Sequence, residues 1–238
     1  MHREFYTRLI SREHPLPEAF VPEHLIDIGL PFEAAPGDPK RLLEYQAAKA
    51  ASQLFHACHR CGLNLWAVSG YRSYQRQKEL FTGSPFVAEP GTSEHQSGLA
   101  LDVSCPSIHM ELSERFSATG EGRWLKKNAP LYGFILRYPK SKEEITGIGH
   151  EPWHFRYVGQ PHAAIMEARG LTLEEYIAWL REFPYESCRY QEKNAIVSFL
   201  PGASDGPTIL KRDSDLPCTI SGNNVDGFII TEWRRAHG

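Results

Sequence analysis

The chain has 238 residues, 41% of them hydrophobic and 23% charged, which supplies a sizeable core and excludes wholesale disorder. Lys and Arg number 26 against 29 Asp and Glu, a formal net charge of −3, which argues against a general nucleic-acid binder. No apolar run approaches the roughly 18 residues of a membrane span.

Residues 1–15 carry Arg3, Glu4, Arg8, Arg12 and Glu13 and hold no apolar signal-peptide core. The expected location is the cytoplasm, or the cell envelope if a leader has been removed. Residues 1–40 contain Pro15, Pro17, Pro22, Pro31, Pro36 and Pro39 and read as an irregular arm over a domain. Asp38-Pro39 opens a predicted helix to about residue 60, with Leu42, Leu43, Ala47, Ala50, Ala51, Leu54, Phe55 and Cys58 at helical intervals. Cys58 and Cys61 have CxxC spacing, but they end this helix and no second CxxC exists, so they read as packing residues. The five scattered cysteines fit a reducing compartment.

Residues 64–69 form a predicted strand and 73–81 a helix capped by Ser73. A loop over 82–93 precedes a strand at 99–103. Residues 111–128 read as loop plus helix, 133–137 as a strand, 139–149 as a charged loop and 155–158 as a strand. Thr172 with Glu175 is a capping box for a helix over 173–183. Strands are then predicted at 195–200, 208–211, 218–221 and 228–233, separated by turn signals. The predicted class is α+β: a central, mainly antiparallel sheet flanked by helices, with a small C-terminal β appendage. The predicted domains are 1–183, with 1–40 as the arm, and a β-rich extension over 184–238.

Three segments carry candidate chemistry. Around the strand at 99–103, Gly98, Ala100 and Asp102 share a face at period two, with His95 in the turn before them. The two small residues would leave a floor for a ligand, and His95 and Asp102 could converge on one metal ion. A buried His–Asp hydrogen bond is the plainer alternative. Near residue 150, Glu151 and His154 are three apart, and Pro152 would break the ladder so that a turn brings both to one side. His154 would complete a His/Asp/His zinc set with an open fourth position, and Glu151 would serve as general base. The alternative is an aromatic core strand with Glu151 and Arg156 ion-paired. Arg72, between a strand end and a helix, could hold a substrate carboxylate bidentately, or make only a surface salt bridge.

Gly70-Tyr71-Arg72-Ser73, then the SxHxxGxAxD run from Ser93 to Asp102, then Gly133–Pro139 and the ExxH of Glu151 and His154 occur in one order. This pattern resembles the zinc D-alanyl-D-alanine carboxypeptidases of the VanY and VanXY type, within the LAS superfamily of peptidoglycan peptidases, over roughly residues 10–183. The resemblance implies one zinc ion on His95, Asp102 and His154, with Glu151 as catalytic base. Arg72 and Ser93 would meet the substrate's terminal carboxylate, Gln77 matches a recurrent glutamine, and Trp153 would wall the pocket. The implied substrate is a peptidoglycan peptide or precursor ending in D-Ala-D-Ala, in antibiotic resistance or wall maintenance. A D-Ala-D-Ala dipeptidase and an L,D-carboxypeptidase on tetrapeptides are the chemical alternatives. A non-catalytic zinc-containing module is a third, against which Glu151 speaks. The stretch between Phe81 and Pro90 is short beside many relatives, which implies a less covered site.

Overall fold

The structure, a computed structural model, describes residues 2–27, 29–83, 87–212 and 214–234. The mostly irregular first forty-four residues hold three short strands, β1 (His2–Glu4), β2 (Leu25–Ile26) and β3 (Leu43–Glu44). Helix α1 (Tyr45–Arg60) comes next, then β4 (Trp66–Ser69), α2 (Tyr74–Leu80) and β5 (Ala100–Ser104). After α3 (Gly120–Asn128) run β6 (Phe134–Tyr138), α4 (Glu143–Thr146) and β7 (Glu151–Tyr157). Helices α5 (His162–Arg169) and α6 (Leu173–Leu180) lead into β8 (Tyr190–Glu192), β9 (Ala195–Pro201), β10 (Cys218–Gly222) and β11 (Gly227–Trp233).

The central sheet has the order β4-β5-β7-β6 and is antiparallel throughout. Period-two alternation divides its side chains. Ala67, Leu101, Val103, Phe134 and Phe155 pack against Leu54, Phe55 and Cys58 of α1 and Leu125 of α3, forming the main core. Asp102, His154 and Arg156 therefore point to the opposite face. There, further along the sheet, Ile135 and Val158 join Ile165 and Met166 of α5, Tyr176, Ile177 and Leu180 of α6, and Val197, Phe199 and Ile229 of the second sheet. Each large aliphatic or aromatic side chain so buried contributes roughly 1.5–3 kcal/mol relative to exposure.

The second sheet, in the order β1-β10-β11-β9-β8, holds three of the four strands expected in the tail and adds β8 at one edge and β1, parallel to β10, at the other. The mixed architecture agrees with the α+β expectation. The compositional break near residue 183 falls just after α6, while one apolar cluster draws on both sides of it.

Several local expectations are corrected. Helix α1 starts at Tyr45, not Asp38: Pro39–Arg41 is a 3-10 turn, and Leu43, 1% exposed, extends to pair with Ile26. Glu44 then caps α1, its carboxylate accepting from the Gln46 and Ala47 amides. Residues 208–211 form no strand. Helix α5 falls where none was expected, after Pro161, with His162 on its buried side. Residues 84–86 of the short loop after Phe81 lie outside the described residues. Cys58 and Cys61 are both free thiols at the end of α1; Cys58 is buried in the main core as a packing residue, whereas Cys61 is exposed, so the packing expectation is corrected there. No helix among the described residues is long and apolar enough to cross a membrane.

Candidate metal centre

The site is built on sheet register. Asp102 of β5 stands opposite His154 of β7 on one side and opposite Ser69 of β4 on the other. His95 comes from the 3-10 turn Glu94–Ser97 just before β5, whose end is closed by Gly98 at φ +68°. A side chain at Gly98 would meet the Glu44 amide nitrogen at 2.9 Å, and that amide donates to the Gly98 carbonyl at 2.9 Å. The expected ligand floor at Gly98 is thus corrected: the glycine serves the left-handed turn and the close approach of β3.

The structure brings His95, Asp102 and His154 together, all buried, with one ligating atom of each within 4.8 Å of the others. His95 Nε2 lies 3.1 Å from Asp102 Oδ2, and His154 Nδ1 lies 2.9 Å from Asp102 Oδ1. The distal ring nitrogens are occupied elsewhere. His95 Nδ1 is 2.7 Å from the Gly70 carbonyl, and His154 Nε2 is 3.4 Å from Glu94 Oε2. Glu151 Oε2 is 3.8 Å from His154 Nδ1, and its side chain is partly exposed.

Glu151 reaches this side by a route other than the expected turn. Strand β7 runs continuously through Pro152, and a register shift opposite it, between Leu136 and Tyr138, re-aims Glu151. Trp153 is also corrected: it packs against the main core, as does Phe155, because neighbours in a strand alternate faces and His154 takes the site side.

Arg72 sits half-buried at the end of β4, its amide bonded to the His95 carbonyl. Its guanidinium donates to Gln77 Oε1 at 3.0 Å and Ser69 Oγ at 3.2 Å. Gln77, 1% exposed, is held in turn by the Ala88 carbonyl at 2.7 Å. Among the described residues no carboxylate lies within ion-pair distance of Arg72, and Asp102 acts on it only at longer range, so it is an oriented cation with no direct counter-ion. Ser93 is buried at the start of the 3-10 turn, its hydroxyl capping nothing.

The electrostatics follow from burial and neighbours. Burial opposes ionisation of Asp102, but the imidazoles of His95 and His154 overcome it and hold the carboxyl low. Burial lowers His95. Burial also disfavours the His154 cation, yet hydrogen bonds to Asp102 and Glu94 push this imidazole up to about 10. Burial raises the Glu151 carboxyl, His154 opposing and Asp102 and Glu94 adding to the effect, and a raised carboxylate is the stronger proton acceptor.

Glu94 is the residue that sequence reasoning missed. Its side chain is 0% exposed and its Oε1 accepts from Arg137 Nε at 2.8 Å and Arg156 Nη1 at 2.7 Å. Burial opposes its ionisation, and the two guanidiniums overcome this and keep it charged. The available signal was two arginines at inward strand positions, 1% and 0% exposed, each requiring a buried anion.

A family model described as VanY, D-alanyl-D-alanine carboxypeptidase, matches residues 40–160, a span that takes in Arg72, Ser93, His95, Asp102, Glu151 and His154. The chain belongs to the VanY family. YodJ of Bacillus subtilis is 43% identical over 178 residues, 71% of this chain and 65% of YodJ, so the chain spans just under two thirds of that relative's length. Among solved structures, the vancomycin-resistance D,D-dipeptidase VanXYg, in complex with a D-Ala-D-Ala phosphinate analogue, is similar with a TM-score of 0.81. It is 34% identical, and the match covers 97% of this chain and 94% of that one. The LdcB LD-carboxypeptidase is 43% identical with a TM-score of 0.69, over 71% of this chain and 84% of that one. A VanY D,D-pentapeptidase from a VanB-type resistance cassette, solved with Zn(II), is 32% identical with a TM-score of 0.60, over 73% and 99%. In this member of the VanY carboxypeptidase family, the buried His/Asp/His cluster falls inside the matched span.

Proposed function

We propose that this protein is a zinc-dependent D-alanyl-D-alanine carboxypeptidase that releases the terminal D-Ala of peptidoglycan peptides or precursors. The observation that carries the reading is the convergence of His95, Asp102 and His154, with Glu151 at 3.8 Å from His154 and, beyond the end of β4, an Arg72 that no described carboxylate pairs. The donor set suits zinc: two imidazoles and one carboxylate, with the distal nitrogen of each imidazole engaged and the proximal one turned to Asp102. Zinc, when bound, polarises the scissile carbonyl and makes water a stronger acid.

Glu151 takes a proton from the attacking water and returns it to the departing D-Ala amine. Its partial exposure leaves a path for that water. Arg72 binds the terminal carboxylate, and Gln77 and Ser69 fix the guanidinium plane beforehand. Ser93 supplies a second contact to the same carboxylate. A guanidinium left without its anion disfavours internal peptide bonds, which limits cleavage to the C-terminus.

The test is product analysis by mass spectrometry with D-Ala-D-Ala, a D-Ala-D-Ala-terminated pentapeptide and a D-Ala-terminated tetrapeptide, each with and without chelator. Loss of one D-Ala from the pentapeptide, abolished by the chelator, is the expected result. Turnover that survives complete removal of metal would overturn the zinc assignment. A second reading, L,D-carboxypeptidase activity on the tetrapeptide, is supported by the 43% identity to LdcB, and the same assay separates it.

A further inference from the structure

We propose that Glu94 is a positioning residue of this centre: it holds His154 with Nε2 protonated and so presents Nδ1 to the metal. The inference rests on the zinc reading above.

Glu94 divides its two oxygens unequally. Both arginines use one of them, Arg137 Nε at 2.8 Å and Arg156 Nη1 at 2.7 Å from Oε1. The other, Oε2, faces His154 Nε2 at 3.4 Å. A carboxylate acting only as a counter-ion could offer each arginine its own oxygen. The arginines are themselves anchored. Arg137 also grips Glu174 of α6 with both terminal nitrogens, at 3.0 and 2.6 Å. Arg156 Nη2 reaches the carbonyls of Tyr6 and Arg8 at 3.2 and 2.9 Å. Oε1 is thus pinned from two sides, and the carboxylate has no freedom to turn Oε2 away from the imidazole.

A carboxylate can only accept a hydrogen bond, so it selects the ring form with a proton on Nε2. Without a cation Asp102 Oδ1, 2.9 Å from Nδ1, accepts a proton there as well, so both ring nitrogens are protonated; zinc held by Asp102 would take the Nδ1 lone pair in place of that proton, while Glu94 keeps the one on Nε2. The Gly70 carbonyl does the converse for His95, holding Nδ1–H and leaving Nε2. The two imidazoles are preset from outside the cluster by one acceptor each.

A glutamine at this position reverses the signal with little change of shape. Two guanidiniums at Oε1 require an acceptor, so the amide oxygen stays there and the NH2 group faces His154. A donor facing Nε2 favours the ring with its proton on Nδ1, aimed at the metal position.

The experiment uses the full-length protein and zinc itself. In 15N–1H spectra of the zinc-loaded wild type, His154 should carry its proton on Nε2 with Nδ1 as the ligating nitrogen. By chelator competition, Glu94→Gln should bind zinc about 10–100-fold more weakly than wild type. Glu174→Gln loosens Arg137 without touching the Glu94–His154 contact, and should stay within about threefold of wild type. Ligation through Nε2 overturns the proposal. So does a folded Glu94→Gln with wild-type zinc affinity, or a Glu174→Gln weakened as much as Glu94→Gln, since that loss would reflect packing alone. If Glu94→Gln does not fold, the wild-type spectrum decides. A wild type that takes up no zinc refutes the underlying metal reading, and this inference with it.

Discussion

Asp102 and His154 face each other directly across two antiparallel strands, with Oδ1 2.9 Å from Nδ1. Sheet register sets this pair, and a one-residue slip would send one of them to the core face. The site therefore inherits its precision from the packing of Leu101, Val103 and Phe155 on the other side.

Metal removal should be visible in stability as well as in turnover. The cluster holds three buried polar groups whose best common partner is a cation. Free zinc at a hundred times its Kd adds about 2.7 kcal/mol, and for a chain of this size each kcal/mol moves Tm by about 2–4 °C. Chelation should lower Tm by about 5–10 °C in a thermal melt. An unchanged Tm with a stoichiometric metal present would contradict a folded-state site.

Glu151→Ala should lower kcat by about 100- to 10,000-fold, the range for loss of a general base. Zinc content, measured by metal analysis of the purified variant, should stay at one ion per chain, because Glu151 stands outside the three-residue cluster. Near-normal kcat would remove Glu151 from the mechanism.

Arg72→Ala should cost about 2–5 kcal/mol in kcat/KM, or about 30- to 5000-fold, on a peptide with a free C-terminus. On the same peptide with an amidated C-terminus, wild type and variant should be almost equally poor. Steady-state kinetics on the two substrates check this, and an equal loss on both would mean that Arg72 acts only through the fold.

His162 gives a pH prediction that does not involve the candidate metal centre. It is buried between Tyr176 and Thr231, with Nδ1 2.7 Å from the tyrosine hydroxyl and Nε2 3.2 Å from the threonine hydroxyl. Burial lowers it from 6.5 to about 4. Above pH 6.5 both folded and unfolded chains hold it neutral, and its stability contribution is fully present. Between pH 6.5 and 4 only the unfolded chain takes up the proton, so stability falls as pH falls, by roughly 3 kcal/mol at most. His162→Gln should be less stable than wild type at pH 7, and the difference should shrink by pH 4 in urea titrations. A difference independent of pH would show that His162 does not titrate this way.

The central sheet, the helix caps at Ser73 and Thr172 and the convergence of His95, Asp102 and His154 were legible because each rests on period, capping residues or a motif with fixed spacing. Glu94 was not, because its role depends on Arg137 and Arg156, 43 and 62 residues away. Trp153 was misread for a simpler reason: its neighbour His154 claims the site face, which leaves the core face for the indole. The start of α1 was also misplaced. Leu42 and Leu43 continue the helical apolar spacing, but pairing with Ile26 wins over helix propensity there. Residues 208–211 have the composition of a strand but pair with no strand of the three described sheets.

Strand β1 pairs with β10, so residues 2–4 lie beside residues 219–221. During synthesis the first strand leaves the ribosome more than two hundred residues ahead of its only neighbour. Until then Leu9 and the arm cannot be fastened to the Asn223 and Asn224 loop either. The nascent chain must hold that segment unpaired through most of translation, and closing so distant a contact belongs to the last, slowest stage of folding.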